Sequence, residues 1–231
     1  MYHYIEDKNF LRNMHRDCAD VVNQLVQLIN NEGLIKVKSH LVGSGAKNMI
    51  TQNGKASVDL DYNLEVTDFL KMGSRDCKKI KEYVKSCFDD ILCKNDWGYC
   101  NDSTSALTTE LQQSEYGNKT EYKIDLAIVA KINGQWNRLI HWKTGIMNYD
   151  QFIWNQVQHS HGLEEKVEKL KEEPRLWHDV RDVYLEKKNM YLRRQDKDHP
   201  SFIVYIEAVN EVYNEHFKSN HYDIMDVLRL H

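Results

Sequence analysis

Apolar residues recur at three- and four-residue spacing at Leu11, Met14, Cys18, Val21, Val22, Leu25 and Ile29. That single stripe predicts a helix over about Asp7 to Asn31, closed by Gly33 as a left-handed cap. The period then changes to two. Ile35, Val37, Ser39 and Leu41 alternate with Lys36, Lys38 and His40, a strand running into Gly43-Ser44-Gly45 and a short helical turn over Ala46 to Ile50. In the next strand Val58, Leu60, Tyr62 and Leu64 face one way, and Asp59, Asp61, Asn63 and Glu65 the other.

A helix follows over about Ser74 to Cys93, with Cys77, Ile80, Val84, Cys87 and Ile91 on its stripe. Residues 95 to 103 read as loop, and 104 to 111, rich in Thr and small residues, as a strand. The run "YKIDLAIVAKI" at 122 to 132 is the clearest strand in the chain, and Asn133-Gly134 is a two-residue hairpin turn into "QWNRLIHW". From about Asp150 on, helical spacing alone is predicted: Leu163, Val167 and Leu170; then Leu176, Val180, Val183, Tyr184 and Tyr191 behind Pro174; then Phe202, Ile206, Val209, Tyr213 and Phe217 behind Pro200. The fold class is therefore α+β, a mixed sheet flanked by helices with an all-helical C-terminal subdomain. The expected boundary divides the chain into 1–147 and 148–231.

Composition narrows what such a chain does. It has 231 residues, 41% hydrophobic and 29% charged, enough apolar material for a real core. Its net charge of -4 supplies no global basic field, so RNA is a possible partner but not the favoured one. Five cysteines without a Cys-x-x-Cys pair argue against a disulfide framework or a zinc knuckle. No basic-then-apolar leader and no run of about 18 apolar residues is present, so the expectation is a soluble, cytoplasmic protein with no membrane partner.

The acidic residues carry the chemistry. Asp59 and Asp61 project from one strand face roughly 7 Å apart along the backbone, and Asp125 joins them if its strand is the neighbour. Hard oxygen ligands of this kind suit two Mg²⁺ or Mn²⁺ ions, with nucleotide phosphates completing the shell. Gly43 and Ser44 offer backbone N–H groups and a hydroxyl to a phosphate, and Lys47 lies within reach as a point charge. His159 and His161 read as a helix-end or loop feature rather than a metal pair, and Lys187, Lys188, Arg193 and Arg194 as a solvated helix face. Trp136, Trp142, Trp154 and Trp177 are core or subdomain-interface candidates, one of them or Tyr149 is a residue on which a base could stack, and the cysteines read as small core residues.

Gly43-Ser44, then Asp59-x-Asp61, then a single Asp125 on a later strand resembles the ordered signature of the nucleotidyltransferase superfamily related to DNA polymerase β. The resemblance covers about residues 34 to 132. The "GSGAK" wording and the helical second half look most like the oligoadenylate and cyclic-dinucleotide synthase branch and its bacterial relatives. It implies that Asp59 and Asp61 hold the metals, that Asp125 binds the second metal and helps deprotonate the acceptor hydroxyl, and that Gly43 and Ser44 hold the triphosphate. The segment between Ser44 and Asp59 is longer than in the tersest members. The implied reaction transfers a nucleoside monophosphate from an NTP to an acceptor hydroxyl and releases pyrophosphate. Another nucleotide is the first choice of acceptor, a small antibiotic-type alcohol the second, and RNA the third. The rivals are a non-catalytic nucleotide-binding module of the same fold and a pyrophosphokinase of the alarmone-synthase type.

Overall fold

The computed structural model describes residues 1–114, 117–157, 162–196 and 198–218. After a short strand β1 (Tyr2–Tyr4) come α1 (Lys8–Glu32), β2 (Lys36–Leu41), α2 (Gly43–Ala46), β3 (Thr51–Asn53) and β4 (Val58–Asp68). Then follow α3 (Cys77–Lys94), β5 (Asn101–Asp102), β6 (Leu107–Thr108), β7 (Gln112–Gln113), β8 (Glu121–Ile132), β9 (Gln135–Trp142) and β10 (Gln151–Gln156). Three helices complete the described chain: α4 (Leu163–Glu172), α5 (Pro174–Arg193) and α6 (Ser201–Tyr213), the last running into a π-turn at Asn214–Lys218. By their contacts these elements form two units, Ile5–Gln158 and Met1–Tyr4 with the helices from α4 onward.

In the first unit the central sheet runs β10-β9-β8-β4-β2. β4 and β8 are parallel and the other pairings along it antiparallel, so the sheet is mixed. A parallel pair needs a crossover, and α3 lies on it. The inward residues of β4, Val58, Leu60, Tyr62, Leu64 and Val66, are buried in one cluster with Met14, Cys18, Val22, Leu25 and Ile29 of α1 and Ile80, Val84 and Phe88 of α3. α1 is set at its start by Asp7, whose side chain accepts from the Asn9 and Phe10 amides, and at its end by Gly33 at φ 66°. β8 is buried continuously from Leu126 to Ala130, as expected of a central strand covered on both faces.

The structure departs from the pattern reading in several elements. Gln151–Gln156 is a strand in continuous antiparallel register with β9, where only helices were expected. Phe152 and Trp154 are its only core-packed residues, too few to make a period visible among Gln and Asn. The segment expected as loop contains β5, and the strand expected over 104–111 is only the two-residue β6. The helical turn begins at Gly43 rather than Ala46.

The second unit is helical. Leu170, Leu176, Val180, Tyr184, Val204, Tyr205, Ala208, Val209 and Val212 are buried. Its N-terminal residues lie against α5. The Tyr2 amide donates to Asn189 Oδ1 at 2.7 Å, Asn189 Nδ2 donates to the Tyr2 carbonyl at 3.0 Å, and the Tyr4 hydroxyl donates to the Arg181 carbonyl at 2.7 Å.

Candidate active site

β4 turns its apolar residues into the core, so the alternate positions Asp59 and Asp61 stand on the outer face. The parallel register places Asp61 opposite Asp125 and Asp59 opposite Lys123. Neighbouring strands are about 4.8 Å apart, so the two paired aspartates share a face as direct neighbours. Their charges interact accordingly. Burial, then Asp125, then Asp59 raise the Asp61 carboxyl from 3.8 to about 6, against the opposing pull of Arg138 and Lys47.

The other two carboxylates have cationic or hydroxyl neighbours. Asp59 Oδ1 lies 3.5 Å from Lys123 Nζ. Asp125 Oδ1 accepts from the Thr108 hydroxyl at 2.5 Å. Among the described residues no three His, Cys, Asp or Glu side chains are drawn together tightly enough to enclose a metal ion. The donor set nonetheless fits a hard divalent cation. It is all carboxylate, it lies on one sheet face, and burial together with the charges of Asp125 and Asp59 holds a proton on Asp61 above the usual acid range.

The Gly-Ser turn sits directly against this face. The Val42 amide donates to the Asp61 carbonyl at 2.9 Å, which ties the turn to β4. Gly43 has φ 63°, and a Cβ there would lie 2.3 Å from Asp61 Oδ2. Gly45 is buried, and its Cβ would meet Leu60 Cδ2 at 2.8 Å. Gly43 is thus required by backbone conformation as well as packing, and Gly45 by packing alone. The Ser44 carbonyl accepts the Met49 amide at 2.9 Å and closes the turn. Lys47 is no loose loop lysine: its ammonium donates to the Gly43 carbonyl at 3.1 Å and bears electrostatically on Asp61.

No known family profile matches the chain, and no curated protein matches it. Solved structures do. The CdnE cyclic dinucleotide synthase of Elizabethkingia meningoseptica, with GTP and Apcpp, superposes with a TM-score of 0.50 at 13% identity over 83% of this chain. CdnC of Escherichia coli MS115-1, with ATP, gives 0.53 at 15% over 88%. The Vibrio cholerae DncV cyclic AMP-GMP synthase, with the linear intermediate pppA(3',5')pG, gives 0.53 at 11% over 77%. The chain has a nucleotidyltransferase fold.

The match spans 68%, 61% and 47% of those three chains respectively. On this nucleotidyltransferase fold the structure also assembles residues that sequence patterns did not single out. Arg138 on β9 is paired with Val129, and its Nε is buried with no hydrogen-bond partner, as is Asn63 Oδ1 on β4. The alternation in "QWNRLIHW" marks Arg138 as polar, but only the register of three strands sets it in one row with Val129 and Glu65, from where its charge bears on Asp61. Thr108 lies on a strand too short to carry a pattern.

Several readings are corrected. Lys187 is paired with Glu211 at 2.8 Å, and Lys188 lies 4.0 Å over the Tyr2 ring, so these two are engaged within the helical unit rather than simply solvated. Trp142 is 63% exposed rather than core, whereas Trp154 packs on the core and donates to the Ser74 carbonyl. Cys93 is exposed, while the other four cysteines are buried as expected and all five are free. His159 and His161 lie outside the described residues. Among the described residues no helix is long and apolar enough to cross a membrane.

Proposed function

We propose that this chain is a metal-dependent nucleotidyltransferase that moves a nucleoside monophosphate from an NTP to the hydroxyl of a second nucleotide, with release of pyrophosphate. The observation that carries the reading is the in-register pairing of Asp61 with Asp125 on adjacent parallel strands, beside the Gly43 turn. The structural neighbours described as cyclic dinucleotide synthases support a nucleotide acceptor over a small alcohol, and so does the neighbour holding a linear dinucleotide intermediate.

Asp59, Asp61 and Asp125 are the residues that would hold two Mg²⁺ or Mn²⁺ ions. Bound there, such ions supply charge stabilisation to the attacking and leaving oxygens of an in-line displacement. The protein's own part is mainly positioning. Gly43 and Ser44 seat the triphosphate against the turn, and Lys47 contributes positive charge at the same place. The oxygen of Asp125 not engaged by Thr108 accepts the proton of the acceptor hydroxyl as the acceptor's own oxygen attacks the α-phosphorus. The bond from the α-phosphorus to the bridging oxygen breaks, and pyrophosphate leaves with the electron pair.

The test is product analysis after incubation with labelled NTPs and Mg²⁺ or Mn²⁺. Wild type is expected to release pyrophosphate and form a phosphodiester product, and Asp59→Asn and Asp125→Asn to form none. Equal turnover by wild type and Asp59→Asn overturns the mechanism. Nucleotide uptake without metal-dependent turnover identifies a binding module instead, and release of AMP identifies a pyrophosphokinase.

A further inference from the structure

β8 has two edges, and they are occupied differently. β4 runs along one edge from Tyr122 to Ala130. On the other, β9 pairs only with Val129 to Ile132. Beside Asp125 and Leu126 the neighbour is β6, with Thr108 opposite Asp125 and Leu107 opposite Leu126. β6 is half of a two-residue hairpin with β5, inserted at the level of the candidate site.

Two residues of strand hold little register by themselves. This pair is fixed from outside. Lys81 of α3 is 2% exposed, and its ammonium donates to the Ser103 carbonyl at 2.9 Å and lies 2.6 Å from Asp102 Oδ1. Asp102 Oδ2 is 2.8 Å from His141 Nδ1, and His141 Nε2 is 3.1 Å from Asp150 Oδ2. The His141 ring stacks on Phe152 at 4.0 Å, and its backbone amide donates to the Thr104 carbonyl at 2.8 Å. On the other side of the hairpin, the Thr109 amide donates to the Ile124 carbonyl and the Thr109 hydroxyl accepts from the Ile124 amide, both at 3.0 Å. A buried lysine and its network are a costly way to hold a turn. What they hold in place is the hydroxyl at Asp125.

We propose that Thr108 is a positioning residue: its hydroxyl, held at Asp125 Oδ1 by the Lys81-anchored β5–β6 hairpin, sets the orientation of the Asp125 carboxylate and leaves its second oxygen open to the reacting centre. A carboxylate beside Asp61 has an electrostatic reason to turn away, and one donor at a fixed point removes that freedom without adding a charge. The inference rests on the proposed role of Asp125, and its test has one arm that does not need turnover.

The test compares wild type with Thr108→Val and Thr108→Ser in two measurements, Mn²⁺ affinity by electron paramagnetic resonance without nucleotide, and steady-state pyrophosphate release. Melting curves establish that each variant is folded. Expected for Thr108→Val is a loss of about tenfold or more in Mn²⁺ affinity and in kcat, with the KM for NTP within about twofold. Thr108→Ser, which keeps the hydroxyl, is expected to restore both. If Thr108→Val does not fold, Thr108→Ala removes the hydroxyl without added bulk and is judged by the same comparison. Wild-type Mn²⁺ affinity in a folded variant lacking the hydroxyl overturns the proposal whether or not wild type turns over. A kcat unchanged in that variant, or a Ser variant as impaired as Val, overturns it equally. If wild type binds Mn²⁺ but releases no pyrophosphate, the proposed function fails, and the Mn²⁺ comparison still decides the role of Thr108.

Discussion

A carboxylate oxygen of Asp61 stands where a side chain at residue 43 would begin: a Cβ on Gly43 would lie 2.3 Å from Asp61 Oδ2. Turn and acid are therefore fitted to each other before any ligand arrives. Gly43→Ala is expected to destabilise the fold by more than about 1 kcal/mol, from the positive φ alone, and to displace Asp61 as well. Turnover should be lost even at temperatures well below the melting point. Unchanged turnover in a folded Gly43→Ala protein would contradict the close fit.

The Asp61 carboxyl, raised to about 6, makes stability depend on pH. Between its ordinary 3.8 and that value the native state binds more protons than the unfolded chain, so stability falls as pH rises through the window. Charging Asp61 costs the fold about 1–2 kcal/mol near neutrality, after allowance for solvent around the half-buried side chain. In metal-free buffer Asp61→Asn is expected to be more stable than wild type above about pH 6. The difference should close near pH 4, and urea denaturation at the two ends of the window measures it.

Divalent cations should reverse that penalty. Mg²⁺ or Mn²⁺ in large excess over its dissociation constant is expected to raise wild-type stability by roughly 2–3 kcal/mol, to leave Asp61→Asn nearly unaffected, and to be undone by EDTA. Because the ions need the ionised carboxylate, affinity should climb as pH rises through about 6 and binding should release protons. Calorimetry in buffers of different ionisation enthalpy reads that release directly.

Lys81 has a structural consequence of its own. Its removal leaves Asp102 facing a buried gap, and Lys81→Ala is expected to cost on the order of 3 kcal/mol. Adding Asp102→Asn should recover part of the loss, since the uncompensated charge is then gone. Burial holds the Lys81 ammonium below its usual range while Asp102 opposes it, so the pair is expected to couple strongly in a double-mutant cycle.

How much of this was legible follows from the length of each signal. β4 alternates over enough residues to declare both its core face and its acids, and β8 is apolar enough to read as a central strand. The Gly-Ser turn was visible too, but the reason for its glycines was not, because Asp61 and Leu60 meet them only in three dimensions. The hairpin carrying Thr108 has strands of two residues, below any periodic signal. β10 was hidden because Gln and Asn fill most of its outward positions and only Phe152 and Trp154 pack on the core. Arg138 is an ordinary strand arginine until the register of β9 on β8 and β8 on β4 is known.

The parallel pairing of β4 with β8 also governs when the site comes into being. All of α3 and the β5–β7 segment lie between Asp61 and Asp125 along the chain. That crossover must close before a single contact between the two strands repays its entropy. A chain emerging from synthesis therefore carries Asp59 and Asp61 as an ordinary acidic strand face until β8 arrives. Site assembly and the pairing of β8 with β4 are one folding event, and no fragment ending before β8 contains the constellation.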